Sequence, residues 1–165
     1  MMRIGMGYDS HRFCEGDYVK LGGIVISCDV GIQAHSDGDV VLHALVDAIL
    51  GALALGDIGQ HFPDTDPQYK NASSEIFLKH CHHLLNENRY DIVNIDTTVI
   101  AEKPKIKPYV FAMRKYIAET LSISLTHVSV KATTNEKMGW IGRAEGLAAF
   151  AVVSLNSVKS KTPTC

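Results

Sequence analysis

Ala34-His35-Ser36-Asp37-Gly38-Asp39-Val40-Val41-Leu42-His43, running on through Ala44 to Leu55, is the stretch on which the fold turns. Beyond Asp39, the residues Val40, Val41, Leu42, Ala44, Leu45, Val46, Ala48, Ile49, Leu50, Ala52 and Leu53 cover almost the whole circumference of a helix. A helix that is apolar all round is buried. Its polar members, Asp39, His43 and Asp47, recur every fourth residue and stack on one stripe, which Gly51 continues without a side chain. Such a stripe is either a thin solvated edge or one wall of a metal or phosphate site. Ser36 and Asp37 are the expected N-cap residues, and the free amides of the first turn suit an anion.

With 165 residues the chain is long enough for a core of its own, and residues 1–165 are expected to form one domain with a loose tail over 159–165. Its 16 Lys+Arg stand against 18 Asp+Glu, so a formal net charge of -2 gives no global basic field for nucleic acid or a membrane surface. Any anion binding must be local. Cys14, Cys28, Cys81 and Cys165 are scattered and form no Cys-x-x-Cys, which excludes a thiolate zinc site and a disulfide framework as readings of the sequence. No signal, transit or membrane-spanning pattern is seen, so a soluble, cytoplasmic protein is expected.

Working outward, Arg3 to His11 alternates as a strand, and on a strand Asp9 and His11 point to the same face. Tyr18–Leu21 and Ile24–Ile26 flank Gly22-Gly23, a tight hairpin. After the central helix, residues 56–67 form a loop rich in Gly, Pro and Asp, too long for a mere connection. Ser73 or Ser74 opens a second helix; its His80-Cys81-His82-His83 run points in several directions and is expected to be solvated surface rather than a metal site. Ile92–Ala101 is a strand that ends in Glu102-Lys103-Pro104-Lys105-Ile106-Lys107-Pro108, a stiff basic loop that is either ordinary surface or a phosphate grip. A third helix runs from Pro108 to about Leu121, followed by strands at Val128–Thr134 and Leu147–Leu155. Between those strands, residues 135–146 are long enough to form a surface of their own. This order predicts an α+β fold, a mixed sheet with helices packed on one face.

Asp9 and His11 with His43 from the helix stripe offer one carboxylate and two imidazoles. Three protein ligands with a fourth position open is the makeup of a catalytic zinc site. Asp39 and Asp47 are placed either to accept the imidazole N–H of His43 or to lie beside it in water. Around this set stand phosphate-handling parts: the helix start at His35-Ser36, the lysines of the basic loop, Thr133, Thr134 and Arg143. Glu136, a hard oxygen ligand, suits magnesium or manganese bridging phosphates.

The segments Arg3–Phe13, Ala34–Ala44, Gly56–Gly59, His61–Asp66, Lys131–Glu136 and Gly142–Gly146 closely resemble, in order and spacing, the 2-C-methyl-D-erythritol 2,4-cyclodiphosphate synthase family. The resemblance spans nearly the whole chain and matches the single-function form, with nothing like a fused cytidylyltransferase domain. It implies intramolecular phosphoryl transfer: the 2-phosphate of 4-diphosphocytidyl-2-C-methyl-D-erythritol 2-phosphate attacks the β-phosphate and releases CMP. By match, Asp9, His11 and His43 would hold Zn2+, one per subunit, and Glu136 a second cation, Mg2+ or Mn2+. His35 and Thr134 would polarise phosphate oxygens. Ser36, Asp57, Ile58, Gly59, Phe62, Pro63, Asp64, Thr65 and Asp66 would shape the methylerythritol pocket. Ala101, Glu102, Lys103, Pro104, Lys105, Ile106, Lys107, Thr133 and Asn135 would take the cytidine diphosphate part. The family is a homotrimer with active sites between subunits. Trp140 and Arg143 fall where the family lines a cavity on the trimer axis that can hold an isoprenoid diphosphate; Trp140 reads equally as a packing residue there. Met6, Asn135 and Trp140 depart from the usual His, Ser or Thr, and Phe, none of them a proposed metal ligand.

Two other classes compete. A metal-dependent phosphohydrolase would use the same zinc to activate water, with Asp64 or Asp66 as base. A trimeric binding protein with structural zinc would need a fourth protein ligand, and no Cys lies near Asp9 or His43 in the sequence to serve.

Overall fold

The structure, a computed structural model, describes residues 1–63, 65–69 and 72–158. The expectations for Asp64 and for the tail at 159–165 lie outside the described residues. In chain order the elements are β1 (Met2–Cys14), β2 (Tyr18–Leu21), β3 (Ile24–Ser27), β4 (Gly31–Gln33), α1 (Val40–Leu53), α2 (Ile58–His61) and α3 (Ser74–Glu87). There follow β5 (Tyr90–Ile100), α4 (Val110–Thr120), β6 (Val128–Thr133), α5 (Gly139–Gly142) and β7 (Gly146–Ser157). Short 3-10 turns at Pro67–Tyr69, Lys107–Tyr109 and Leu125–His127 join them. One five-stranded sheet has the order β4-β1-β7-β5-β6, and β2-β3 is a separate hairpin. Only the β5-β6 pair is parallel, so the sheet is mixed, as expected, and the fold is a single α+β domain.

One face of the sheet carries Ile95, Thr97 and Val99 of β5, Val128 and Val130 of β6, and Ala149, Ala151, Val153 and Leu155 of β7, all buried. α1, α3 and α4 cover it. Twelve of the fourteen residues of α1 are buried, leaving only Asp47 and Gly51 toward the outside. Its seat on β1 depends on glycine. A Cβ on Gly5 would lie 1.9 Å from the Ala48 carbonyl oxygen, and one on Gly7 would lie 2.0 Å from that of Ala44. Helix backbone therefore rests on strand backbone, with alanines on one side and nothing on the other. The opposite face of the sheet is apolar yet open: Ile4, Met6 and Tyr8 of β1 lie beside Phe150 and Val152 of β7, all exposed.

The helix start differs from expectation. Asp39, not Ser36 or Asp37, is the N-cap of α1, accepting from the Val41 and Leu42 amides at 3.1 Å each. Both its oxygens also reach back to the β2-β3 turn, accepting from the Gly22 amide at 2.8 Å and the Gly23 amide at 2.7 Å. Both turn glycines have positive φ, as a two-residue hairpin of this hand requires. Asp39 is thus a fully buried staple rather than part of a polar stripe, and burial pushes its pKa up to about 6 against the pull of the four N–H donors. Asp39→Ala loses the cap and leaves buried amides unpaired, which should cost roughly 3 kcal/mol. A urea melt of the variant tests this, and an unchanged midpoint would remove the staple.

Candidate active site

The register of β1 sets where its ligands point. Asp9 and His11 lie on the same face as Gly5 and Gly7, the face on which α1 rests. Because α1 comes so close, His43, the residue before Ala44, places its ring beside them. Asp9 Oδ2 lies 2.9 Å from His43 Nδ1 and 3.2 Å from His11 Nε2, and the two nitrogens are 3.4 Å apart. Ligands bonded at about 2.0 Å around a tetrahedral metal sit about 3.3 Å from one another. The three edges fit that triangle, and the donor set of two imidazoles and a carboxylate suits zinc chemistry. Among the described residues this is the one group of three ligating side chains that converges.

Burial lowers the pKa of His11, favouring the neutral ring that a metal requires. Burial acts on His43 in the same direction, but its hydrogen bond to Asp9 and the nearby carboxylates outweigh it and raise the pKa. A proton therefore competes for Nδ1, and binding a cation here releases it. The other nitrogen, Nε2, meets Ser74 Oγ at 2.8 Å and Ser36 Oγ at 3.2 Å. Of the two readings of Asp39 and Asp47, acceptance from His43 does not hold for either. Asp39 is turned away to its amides, and Asp47 accepts from the Ile58 amide at 2.7 Å, tying α2 to α1. Ser74 takes the place beside His43. Only its position at the start of α3, where a hydroxyl not used for capping is free to turn inward, could have marked it in the sequence; Ser73 is the cap.

The open side of the triad faces a cavity of about 380 Å³ lined by His11, His35, Ser36, His43, Ile58, Gly59, Phe62, Pro63, Tyr69 and Phe77. All but Tyr69 and Phe77 were marked from the sequence; these two form its aromatic wall, with the Phe62 and Phe77 ring centroids 4.4 Å apart. Asp57 and Asp66 spend their carboxylates locally, Asp57 capping α2 through the Gln60 amide at 3.0 Å and Asp66 accepting from the Gln68 amide at 3.0 Å. Thr65 is exposed. In the His80–His83 run, His83 pairs with Glu87 on the surface, whereas His80 turns inward to His61, Nε2 to Nδ1 3.3 Å. That turn of His80 departs from the expected solvated run.

The second set of residues gathers elsewhere. Glu102 Oε1 accepts from the Asn135 and Lys137 amides at 3.1 Å each, clasping the basic loop to the segment after β6. Thr134 Oγ1 donates to Glu136 Oε1 at 2.7 Å, and both are exposed. Ala101 and Ile106 are buried in the core, so only their backbone atoms can meet a ligand. Lys103 pairs with Asp29 at 3.0 Å, while Lys105 and Lys107 project from the loop. Across the sheet, Asp9 is opposite Ala149, Ala149 opposite Val99, and Val99 opposite Ala132. β5, which leads into the basic loop, is therefore two strand spacings from β1, about 9.5 Å, and β6, which leads to Thr134 and Glu136, is three, about 14 Å. Within one chain they form two half-sites. Trp140 on α5 and Arg143, paired with Glu145 at 2.6 Å, belong to neither.

Residues 2–156 match the profile of the YgbB family. The chain belongs to the YgbB family. Its relatives include the 2-C-methyl-D-erythritol 2,4-cyclodiphosphate synthase of Pseudomonas fluorescens, 55% identical over 154 residues that make up 93% of this chain and 98% of that protein. The synthase of Pseudomonas putida is 54% identical with the same coverage. Among solved structures, IspF of Plasmodium falciparum in complex with CDP superposes with a TM-score of 0.85 at 39% identity, over 96% of this chain and 97% of that one. A CDP-bound form of the synthase gives a TM-score of 0.86 at 36% identity, over 93% and 100%. This YgbB chain is thus similar to the synthases over 93–96% of its length. Among its described residues no helix is long and apolar enough to cross a membrane.

Proposed function

We propose that this chain closes 4-diphosphocytidyl-2-C-methyl-D-erythritol 2-phosphate into 2-C-methyl-D-erythritol 2,4-cyclodiphosphate with loss of CMP, a phosphorus-oxygen lyase step of non-mevalonate isoprenoid synthesis in the cytoplasm. The observation that carries this is the Asp9, His11 and His43 triad opening onto a cleft with an aromatic wall, in a chain 55% identical to a synthase of that name. Asp9, His11 and His43 would hold Zn2+, and Glu136 a second cation, Mg2+ or Mn2+. A cation so held supplies positive charge to the phosphate oxygens as the β-phosphorus is attacked.

The chain's own residues supply position. Phe62, Tyr69 and Phe77 present apolar edges to the methylerythritol carbons, and Ser36 with the amide of Gly59 takes its hydroxyls. His35 would donate to a phosphate oxygen, and Thr134, whose hydroxyl donates to Glu136 in the free chain, would do so once Glu136 turns to its cation. Lys105, Lys107 and Thr133 hold the cytidine diphosphate portion, while Glu102 keeps their two segments together. Nucleophile and electrophile belong to one molecule, so holding it in line accounts for much of the rate, and no side-chain nucleophile is needed.

Half-sites two to three strand spacings apart in one chain, about 9.5 to 14 Å, suit a homotrimer in which each triad meets a neighbour's basic loop. The open apolar face of Ile4, Met6, Tyr8, Phe150 and Val152 supports that assembly. A phosphorus NMR time course with the diphosphocytidyl substrate, with and without zinc and magnesium, tests the reaction. Metal-dependent appearance of CMP together with two coupled cyclic diphosphate resonances is expected. Linear phosphate products would replace cyclisation by hydrolysis.

A further inference from the structure

Four elements meet behind His43, on the side away from the triad. Asp37, in the loop before α1, accepts from Lys20 Nζ of β2 at 2.8 Å and from the Ser74 amide of α3 at 3.0 Å, both on Oδ2. Its Oδ1 faces the Ser74 hydroxyl. Ser74 is wholly buried, and its Oγ lies 2.8 Å from His43 Nε2. Lys20 adds a contact to Ser73 Oγ at 3.1 Å, closing the cluster.

The direction of each hydrogen bond follows from the end of the chain. A carboxylate paired with a lysine and an amide has no proton to give, so between Ser74 and Asp37 the hydroxyl donates. A hydroxyl has one hydrogen. With it committed to Asp37, Ser74 Oγ can only accept from His43, and the imidazole must carry its proton on Nε2. A neutral ring protonated at Nε2 has its lone pair on Nδ1, the nitrogen that faces Asp9 and His11. We propose that Ser74, oriented by Asp37 and Lys20, is a positioning residue that selects the Nδ1 lone pair of His43 for the metal. Ser36 Oγ, farther from Nε2 at 3.2 Å and lining the cavity, is left free for substrate. This rests on the metal reading given above and deepens it, because a partner on the far nitrogen fixes both ring orientation and basicity.

The variants discriminate sharply. Ser74→Ala removes the acceptor and should weaken zinc binding about 10- to 100-fold. In Asp37→Asn, the two donors on Oδ2 keep the amide carbonyl at that position and turn the NH2 group toward Ser74. The hydroxyl must then accept from it and give its own hydrogen to His43 Nε2, placing the ring proton on Nδ1, in the way of the metal. The experiment is zinc titration of the whole protein against a chromophoric chelator, with long-range proton-nitrogen NMR of the histidine rings and a thermal melt of each variant. Expected are an Nε2 proton on His43 in the wild type with and without zinc, its absence from metal-free Asp37→Asn, and weaker zinc binding in both folded variants. Wild-type zinc affinity in Ser74→Ala, with His43 still protonated on Nε2, would overturn the role of Ser74 and leave the metal site standing. Wild-type protein that binds no zinc would overturn the site itself, and the inference with it.

Discussion

His43→Ala is expected to leave a folded protein that holds no zinc after dialysis and forms the cyclic diphosphate about a thousandfold more slowly or not at all. The ring supplies one of three ligands whose mutual spacing, 2.9 to 3.4 Å, already matches a tetrahedral edge. Two remaining ligands on one strand cannot retain the cation against water. Charge stabilisation by such a cation accounts for several kcal/mol, and each 1.36 kcal/mol is tenfold in rate, so three decades is the scale of the loss. The fold should survive because the ring sits at the margin of the core, against the cavity, while its neighbours on α1 make the packing contacts. Metal analysis, circular dichroism and the phosphorus assay separate the outcomes. Full turnover by a metal-free variant would remove the assignment of these ligands.

Gly7→Val carries the largest expected loss of stability. A β-carbon there would lie 2.0 Å from the Ala44 carbonyl oxygen and 2.8 Å from the Ala48 amide, both backbone atoms that no rotamer change can move. α1 must shift bodily, and overpacking against backbone in a core of this density should cost roughly 3–5 kcal/mol. For a chain of this size that lowers the melting temperature by about 10 °C or more. The same displacement carries His43 away from Asp9, so zinc affinity should fall even where some protein remains folded. Calorimetry and zinc titration check the two effects together. A wild-type melting temperature would mean that α1 does not rest on β1 as described.

Much of this was legible beforehand because it depends on periodicity. The run from Val40 to Leu53 declares its own burial, and Asp9 and His11 share a face by strand geometry alone. Asp39 misled because position along a helix does not reveal a second function: it caps α1 and ties down the Gly22-Gly23 turn seventeen residues earlier, a contact made by tertiary packing. Ser74 was hidden for the same reason, since its neighbour Ser73 satisfies the capping pattern and nothing local tells the two hydroxyls apart. β4, three residues long, offers no period to read. The separation of the half-sites follows from β7 lying between β1 and β5, a matter of strand order that spacing in the chain does not encode.

That strand order also constrains the birth of the molecule. β7 is the seventh strand to be synthesised, yet it pairs with β1 along Met2–Arg12 on one side and with β5 along Tyr90–Ile100 on the other. At a synthesis rate of about 5–20 residues per second, both partner strands wait for seconds with unpaired edges, a state open to aggregation and to chaperone capture. A ribosome that stalls before Gly146 releases a chain with its helices and its outer strands but no middle. Such a chain lacks the strand whose hydrogen bonds join the two halves of the sheet, and quality control meets it as two exposed edges rather than as a damaged enzyme.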